Sequence, residues 1–235
     1  MTRKAPPRVR ALVFDVFGTV VDWHGSVARE VARLRLPVDG AVFAKAWRAG
    51  YATAMDEVRR GVLPWTNIDG LHRRILDRLL AEHGITLTAP AAADLNRIWH
   101  RLDPWPDSAA GLVRLKTVGP VATLSNGNLS LLVDLARHGG LPFDAILSAE
   151  LFGHYKPDPE AYLGAARLLD VAPNELLMVA AHPSDLRAAA RCGLHTAYVP
   201  RPDENGPGGA MEPCTDGEFD VVAADFLALA KALAC

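Results

Sequence analysis

An aspartate directly follows the first apolar run of the 235-residue chain. Residues 9–14 are β-prone and almost continuously apolar, which is typical of a parallel strand covered on both faces, and Asp15 is the first charged residue after them. A carboxylate at the end of a strand, with Gly18 close behind it, is held rigidly and stays accessible to a small molecule. It could serve as a nucleophile or only cap a loop, and the segment from Asp15 to Thr19 leaves both alternatives open.

Three later segments place polar side chains at the ends of predicted strands. The first contains Ser125 and Asn126, the second contains Lys156, and the third contains His182 and Asp185. Hydroxyl, amide, ammonium, imidazole and carboxylate groups together offer a charge partner for a nucleophile and hydrogen bonds for a substrate. Because open α/β sheets bind ligands at the carboxyl ends of their strands, we expect the three segments to meet at one site.

Strands and helices alternate along most of the chain. This alternation predicts an α/β fold with a Rossmann-like, doubly wound parallel sheet. The predicted strands are 9–14, 121–124, 145–147, 176–180 and 196–199, and the predicted helices between them are 109–116, 129–138, 160–169 and 186–192.

The stretch 22–106 has a different pattern and reads as a helical insertion. It is rich in Ala, Arg and Leu, and its predicted helices are 26–34, 41–60, 71–83 and 92–101. Because this insertion begins directly after the first strand, we expect it to form a cap over the carboxyl ends of the strands. The predicted domains are therefore a core of residues 1–21 and 107–235 and a cap of residues 22–106. The Pro- and Gly-rich loop 200–217 either edges the site or is mobile.

Composition and charge exclude several classes of protein. With 50% hydrophobic and 22% charged residues the chain can bury a core, so it is not disordered. A formal net charge of -2 gives no field that would attract nucleic acid or acidic membranes. The basic residues Arg3 and Lys4 precede only a short apolar run, which argues against a signal peptide, and the apolar stretch 221–234 is too short to span a bilayer. The three cysteines, Cys192, Cys214 and Cys235, show no close metal-ligand spacing, and we expect a reduced, cytoplasmic protein.

Taken in order, the four polar segments resemble those of the haloacid dehalogenase-like superfamily over nearly the whole chain. Phosphatases of that superfamily carry a second Asp two residues after the nucleophile, as proton donor to the leaving alcohol, and Phe17 occupies this position. They also carry a Gly-Asp pair that helps to hold Mg²⁺, where this chain has Ala180 and Ala181. A halide leaves as a stable anion and needs neither group. The sequence is accordingly most similar to the L-2-haloacid dehalogenase branch.

The resemblance implies a reaction in two steps. The Asp15 carboxylate displaces halide from C2 of a short (S)-2-haloalkanoic acid, and the product is an ester with the enzyme. Water then attacks the carbonyl carbon of that ester and releases an (R)-2-hydroxy acid. The resemblance implies no metal, no organic cofactor and no partner other than the small haloacid and a second copy of the chain, since relatives often dimerise.

Residue roles follow from the resemblance position by position. Asp15 matches the nucleophile, and Thr19 matches the threonine that steadies it by hydrogen bonding. Lys156 matches the lysine that offsets the repulsion between Asp15 and Asp185. Asp185 matches the acidic residue that orients Lys156 or the hydrolytic water. From the residues alone, Thr19 could equally belong to a local turn and Asp185 could cap a helix.

The resemblance also implies a set of residues around the substrate and the halide. They are Val16, Phe17, Arg48, Ser125, Asn126 and Tyr162. Arg48 matches the arginine that draws on the departing halide, and Ser125 and Asn126 match the residues that receive the substrate carboxylate. From the residues alone, Arg48 could lie on an exposed helix face and Tyr162 could be a core aromatic.

The last polar segment departs from this branch. Well-known members carry Ser and Asn where this chain has Ala180 and His182. Imidazole titrates near neutral pH, so His182 could replace them as a base or hydrogen-bond partner, or it could be a structural residue before Pro183. Ser184 stands where the branch often has an aromatic side chain of the halide cradle. We therefore hypothesise a less bulky, more polar halide site that accepts smaller halides, including fluoride, or haloacetates.

Two other functions remain open. A Mg²⁺-dependent phosphatase acting on a small phosphomonoester would use the same scaffold, although Phe17 and Ala181 disfavour it. A binding protein without catalytic activity would keep only the pocket. That alternative conflicts with the joint presence of Asp15, Arg48 and Lys156, because charged groups that converge on a covered site carry a desolvation cost.

Overall fold

The computed structural model describes residues 7–234, so Arg3, Lys4 and Cys235 lie outside the described residues. The strands are β1 (Ala11–Phe14), β2 (Val21–Asp22), β3 (Asp103–Pro104), β4 (Val121–Ser125), β5 (Ala145–Ser148), β6 (Leu176–Ala180), β7 (His195–Tyr198) and β8 (Val221–Val222). Six of them form a parallel sheet in the order β5-β4-β1-β6-β7-β8, and β2 pairs with β3 in an antiparallel ribbon.

β1 lies in the middle of the sheet because both of its faces are apolar. Leu12 and Phe14 belong to the hydrophobic cluster on one face of the sheet, and Val13 belongs to the cluster on the other. All three side chains are fully buried. Val13 lies opposite Ala122 of β4 and Met178 of β6, so the end of β1 opens between two parallel neighbours.

Helices cover both faces of the sheet. The cap helices are α1 (Trp23–Arg33), α2 (Gly40–Arg59), α3 (Ile68–Glu82) and α4 (Ala89–Asn96), and the helices that flank the sheet are α5 (Ser108–Leu115), α6 (Leu129–His138), α7 (Pro159–Leu168), α8 (Pro183–Arg191) and α9 (Phe226–Leu233). α5, α6 and α9 pack against one face, and α7 and α8 pack against the other. The predicted doubly wound α/β fold is confirmed. Within residues 7–234, no helix is both long and apolar enough to cross a membrane.

The end of the chain contains two elements that the sequence pattern did not assign. Residues 221–234 form β8 at the edge of the sheet and then α9. Asp225 separates them and caps α9, since its carboxylate accepts a hydrogen bond of 2.6 Å from the Ala228 amide. The charge that interrupts the apolar stretch therefore marks a helix start.

The cap helices begin at side chains that satisfy their first free amides. Asp22, Asp39, Asn67 and Thr88 each accept a hydrogen bond from the backbone N–H three residues further on. The antiparallel pairing of β2 with β3 brings the two ends of the insertion together. The division into a cap of residues 22–106 and a core of residues 1–21 and 107–235 stays a prediction.

Candidate active site

Asp15 is buried at the carboxyl end of β1, with 7% of its surface exposed. Its Oδ2 accepts a hydrogen bond of 2.7 Å from the Thr19 hydroxyl, and its Oδ1 accepts one of 2.9 Å from Nζ of Lys156. Burial alone would raise the pKa of Asp15, but the Lys156 charge and a hydrogen bond from His182 outweigh it and hold that pKa well below its usual range. Asp15 is therefore ionised at neutral pH.

Gly18 gives the Asp15 loop its shape. Its φ is +84°, in the left-handed region, and a Cβ there would collide with the Glu204 carboxylate. The turn brings Thr19 back toward the nucleophile, and the Thr19 hydroxyl oxygen also accepts a hydrogen bond of 2.9 Å from the Ala181 amide. The position after the strand thus combines a rigid carboxylate with a fixed hydroxyl donor.

Lys156 is buried between two carboxylates. Its Nζ lies 2.9 Å from Asp15 and 2.5 Å from Asp185, and the Tyr162 hydroxyl donates a hydrogen bond of 2.5 Å to the other oxygen of Asp185. Burial would lower the pKa of Lys156, but the two neighbouring carboxylates raise it above its ordinary value. Burial and Asp185 also raise the pKa of Tyr162, so its phenol keeps the proton that it donates.

The loop that carries Lys156 is held from both the core and the cap. The Lys156 amide donates a hydrogen bond of 2.7 Å to Asn126, and the Lys156 carbonyl accepts one of 3.2 Å from the same side chain. Arg59, the last residue of α2, donates to that carbonyl at 2.7 Å and pairs with Asp158 at 3.1 Å. The cap therefore takes part in fixing the position of the buried ammonium.

His182 connects Asp15 to a residue that sequence reasoning missed. Its Nδ1 lies 3.0 Å from Asp15 Oδ2, and its Nε2 lies 2.8 Å from Oε1 of Glu204. The same Glu204 oxygen accepts a hydrogen bond of 3.0 Å from the Trp23 indole. Burial would lower the pKa of His182, but hydrogen bonds to the two carboxylates raise it to about 10. Glu204 lies in the irregular loop 200–217, where no periodic pattern of apolar residues points to it.

A cavity of about 260 Å³ opens in front of Asp15. Its lining residues are Asp15, Phe17, Arg48, Tyr51, Met55, Ser125, Asn126, Lys156, Pro157, His182, Ser184 and Asp185. Eight of the predicted site residues are among them. Thr19 and Tyr162 do not line the cavity, but they donate hydrogen bonds to Asp15 and Asp185, respectively. The buried Val16 side chain packs into the hydrophobic core and does not line the cavity.

Arg48 projects from α2 between two aromatic rings. Its guanidinium carbon lies 4.3 Å from the centre of the Tyr51 ring and 5.9 Å from that of Trp23. One terminal nitrogen, Nη1, is buried and has no hydrogen-bond partner among residues 7–234. Buried charged donors normally have an acceptor, so this nitrogen is suited to an anionic group of a bound molecule.

Tyr51 and Met55 form the cap side of the cavity together with Arg48. The three residues recur at a spacing of three and four along α2, which puts them on one helix face. Met55 also accepts a hydrogen bond of 3.4 Å from the Asn126 amide. The apolar members of this face could equally have packed in the core or formed an interface, and only their position on the cavity wall beside Asn126 and Asp15 identifies them as cavity residues.

The arrangement suits the displacement of a stable anion by a carboxylate. The ionised Asp15 and Arg48 line one small cavity, and Lys156 keeps the Asp15 carboxylate charged although it is buried. Phe17 offers no proton to an alkoxide, and Ala180 and Ala181 offer no metal ligand. These residue types favour cleavage of a carbon–halogen bond over cleavage of a phosphomonoester.

Sequence comparisons agree with this chemistry. A family model for haloacid dehalogenase-like hydrolases matches residues 9–193. An (S)-2-haloacid dehalogenase of Xanthobacter autotrophicus is 31% identical over 195 residues, which cover 82% of this chain and 76% of that protein.

Solved structures give closer matches. The match to the crystal structure of an L-2-haloacid dehalogenase has 46% sequence identity and a TM-score of 0.92, and it covers 96% of this chain and 99% of that chain. The match to the crystal structure of a defluorinating L-2-haloacid dehalogenase has 41% sequence identity and a TM-score of 0.93, and it covers 100% of both chains. The Xanthobacter autotrophicus L-2-haloacid dehalogenase with chloropropionic acid covalently bound is 25% identical with a TM-score of 0.82 and covers 95% of this chain and 97% of its own. The chain therefore belongs to the haloacid dehalogenase-like hydrolases, in the L-2-haloacid dehalogenase branch that its polar segments resemble.

Proposed function

We propose that this protein hydrolyses short (S)-2-haloalkanoic acids to (R)-2-hydroxy acids and halide through an ester on Asp15. The observation that carries the proposal is the cavity of about 260 Å³ that the buried, ionised Asp15 shares with Arg48. One buried guanidinium nitrogen of Arg48 has no hydrogen-bond partner among residues 7–234. The names of the relatives support the reaction class, and the relative with covalently bound chloropropionic acid supports an ester intermediate.

In the first step an Asp15 oxygen attacks C2 of the substrate and the halide leaves on the opposite side. Thr19 and Lys156 orient the carboxylate by hydrogen bonds of 2.7 and 2.9 Å, which reduces the motion needed to reach an in-line geometry. Arg48 attracts the substrate carboxylate or the departing halide, and Ser125 and Asn126 lie on the cavity wall as further hydrogen-bond partners.

In the second step water attacks the carbonyl carbon of the Asp15 ester. His182, whose Nδ1 lies 3.0 Å from Oδ2 of Asp15, accepts a proton from that water. Collapse of the tetrahedral intermediate restores the carboxylate and releases the hydroxy acid. The Lys156 ammonium stabilises the negative charge that develops on the former carboxylate oxygen.

Halide release from the separate enantiomers of 2-chloropropionate tests this function. We expect chloride and (R)-lactate from the L form, an unchanged rate after treatment with a chelator, and no turnover of the D form. The competing phosphatase reaction is measured in parallel with p-nitrophenyl phosphate and Mg²⁺. Phosphate release that depends on Mg²⁺, without chloride release, would contradict the proposal.

We further propose that the halide site accepts fluoride. Ser184 lines the cavity, where its hydroxyl donates a hydrogen bond of 2.8 Å to Glu212, and it is smaller and more polar than an aromatic side chain. The 41% identical relative named as defluorinating supports this assignment. Fluoroacetate and chloroacetate should both release halide, and Ser184→Phe should lower the ratio of fluoride to chloride release by about tenfold. Release of bromide and chloride with no fluoride would rule out the assignment.

We propose a cytoplasmic homodimer as the form of the protein in the cell. The free thiols of Cys192 and Cys214 support a reducing compartment, since neither forms a disulfide within residues 7–234. Light scattering of the purified protein measures the oligomeric state directly.

A further inference from the structure

We propose that His182 changes its protonation state when Asp15 is esterified: it is an imidazolium in the resting enzyme and a neutral base in the ester intermediate. The inference rests on the proposed function and concerns the timing of proton transfer within it. One proton leaves the protein with the halide, and the hydrolysis step restores the imidazolium.

The geometry of the resting site requires a doubly protonated ring. Each ring nitrogen of His182 lies within hydrogen-bond distance of a carboxylate oxygen, Nδ1 at 3.0 Å from Asp15 and Nε2 at 2.8 Å from Glu204. An ionised carboxylate only accepts hydrogen bonds, and a neutral imidazole has a single N–H. Both contacts can be hydrogen bonds only if both nitrogens are protonated.

Neighbouring cations and hydrogen-bond donors help to keep the two carboxylates ionised. Asp15 also accepts hydrogen bonds from Lys156 and Thr19, and Glu204 accepts one from Trp23. Burial would raise the pKa of Glu204, but the hydrogen bond from His182 outweighs it and lowers that pKa, and the nearby Arg48 charge acts in the same direction. The imidazolium therefore lies between two negative charges in the resting state.

Esterification removes one of these charges. The ester oxygens of Asp15 are neutral, so the favourable interaction at Nδ1 is largely lost, while burial continues to disfavour the charged ring. Loss of an adjacent opposite charge typically moves a pKa by about 1 to 3 pH units, and a shift at the upper end of that range brings the pKa of His182 from about 10 into the neutral range. The ring thus becomes a base only after the nucleophile has reacted.

A second cavity offers the proton a way out. His182 borders both the substrate cavity and a separate cavity of about 200 Å³ that also contacts Glu204, Arg201 and Glu212. The Nε2 side of the ring, where Glu204 lies, can therefore exchange a proton while the substrate cavity is occupied.

The two steps balance in atoms and charge. In the first step the Asp15 carboxylate, the imidazolium of His182 and R–X give the Asp15 ester, neutral His182, X⁻ and H⁺; the C–X bond breaks and a C–O bond forms. In the second step the ester, neutral His182 and water give the Asp15 carboxylate, the imidazolium and R–OH. Here the water oxygen forms a C–O bond to the acyl carbon, and the C–O bond between that carbon and the substrate oxygen breaks. One proton of the water goes to His182 and the other to the departing alkoxide.

Nitrogen-15 NMR of histidine-labelled protein tests the switch. The chain has eight histidines, and the His182 signals are identified by their loss in His182→Gln. Asp15→Asn supplies a neutral group of the same shape as the carboxylate, and Asp15→Ala provides the same comparison if the first variant does not fold. His100 is a matched internal control, because its ring nitrogens also lie 2.8 Å from Asp134 and 3.0 Å from Asp69, away from the cavity.

We expect the wild-type His182 to be an imidazolium at pH 7 and its pKa to fall by about 3 pH units when Asp15 is neutralised, so that the neutral ring is populated at pH 7, with His100 unchanged. A neutral His182 in the wild type, or a His182 that stays an imidazolium at pH 7 when Asp15 is neutralised, would overturn the switch. Chloride release by the same wild-type sample separates the two proposals. Normal release with a neutral His182 rejects the switch alone, whereas no release rejects the proposed function.

Discussion

Asp15→Asn is expected to lower chloride release from L-2-chloropropionate by at least ~10⁴-fold, because an amide replaces the only nucleophile that forms the ester. The fold should persist, since Lys156 keeps Asp185 as a partner at 2.5 Å. Chloride release and thermal unfolding are measured on the same preparation. Asp77→Asn is a matched control, because it neutralises an exposed carboxylate that pairs with Arg73 on the cap surface, and its activity should equal that of the wild type.

An isotope experiment identifies the nucleophile independently of the variant. In a single turnover in ¹⁸O-labelled water, the heavy oxygen should enter the Asp15 carboxylate, because water attacks the ester carbonyl carbon and the substrate carbon keeps an oxygen of Asp15. Mass spectrometry of the peptide that contains Asp15 measures the label. Label found only in the hydroxy acid would mean that water attacks the substrate directly, and substantial activity in Asp15→Asn would lead to the same conclusion.

Lys156→Met is expected to destabilise the protein by about 3–5 kcal/mol and to remove most of the activity, because the substitution leaves two buried carboxylates without their shared cation. Asp15 and Asp185 lie 2.9 and 2.5 Å from the Lys156 ammonium, which is itself only 6% exposed. Without that charge the pKa of Asp15 should rise, so less of the nucleophile is ionised. Urea unfolding at pH 7 measures the stability, and chloride release measures the activity.

The stability that the protein loses in Lys156→Met depends on pH. The pKa of Asp15 in the folded protein lies well below its unfolded value of ~3.9, so its stabilising contribution is present above that value and is lost as the pH falls. The difference in stability between the wild type and Lys156→Met should therefore narrow below about pH 4.

Lys116→Met is the matched control for this substitution. Lys116 pairs with Asp144 at 2.6 Å, but both side chains are more than a third exposed, and removal of such a surface pair should cost less than ~1 kcal/mol. If Lys156→Met lowered the free energy of unfolding by no more than Lys116→Met does, the ion pairs of Lys156 with Asp15 and Asp185 would not stabilise the fold as we expect.

The sequence by itself determined the central strands and the polar segments that follow them. Residues 9–14 are almost continuously apolar, and this pattern is typical of a strand in the middle of a parallel sheet. Because the strands of a parallel sheet end at one edge, Asp15, Lys156 and Asp185 could be expected to meet although 141 residues separate the first from the second. Helical periodicity likewise predicted the helices of the cap and placed Arg48 on one of them.

Only the tertiary structure decided which other side chains complete the site. Glu204 lies in an irregular loop without periodicity, and it contacts His182, 22 residues earlier, and Trp23, 181 residues earlier, because the chain folds back over the end of β1. Tyr51 and Met55 carry an apolar pattern that fits a core as well as a cavity, and only the folded chain places them on the cavity wall with Asp15. Local sequence patterns describe which face of an element is apolar, whereas the neighbour that covers this face is set by contacts between elements distant in the chain.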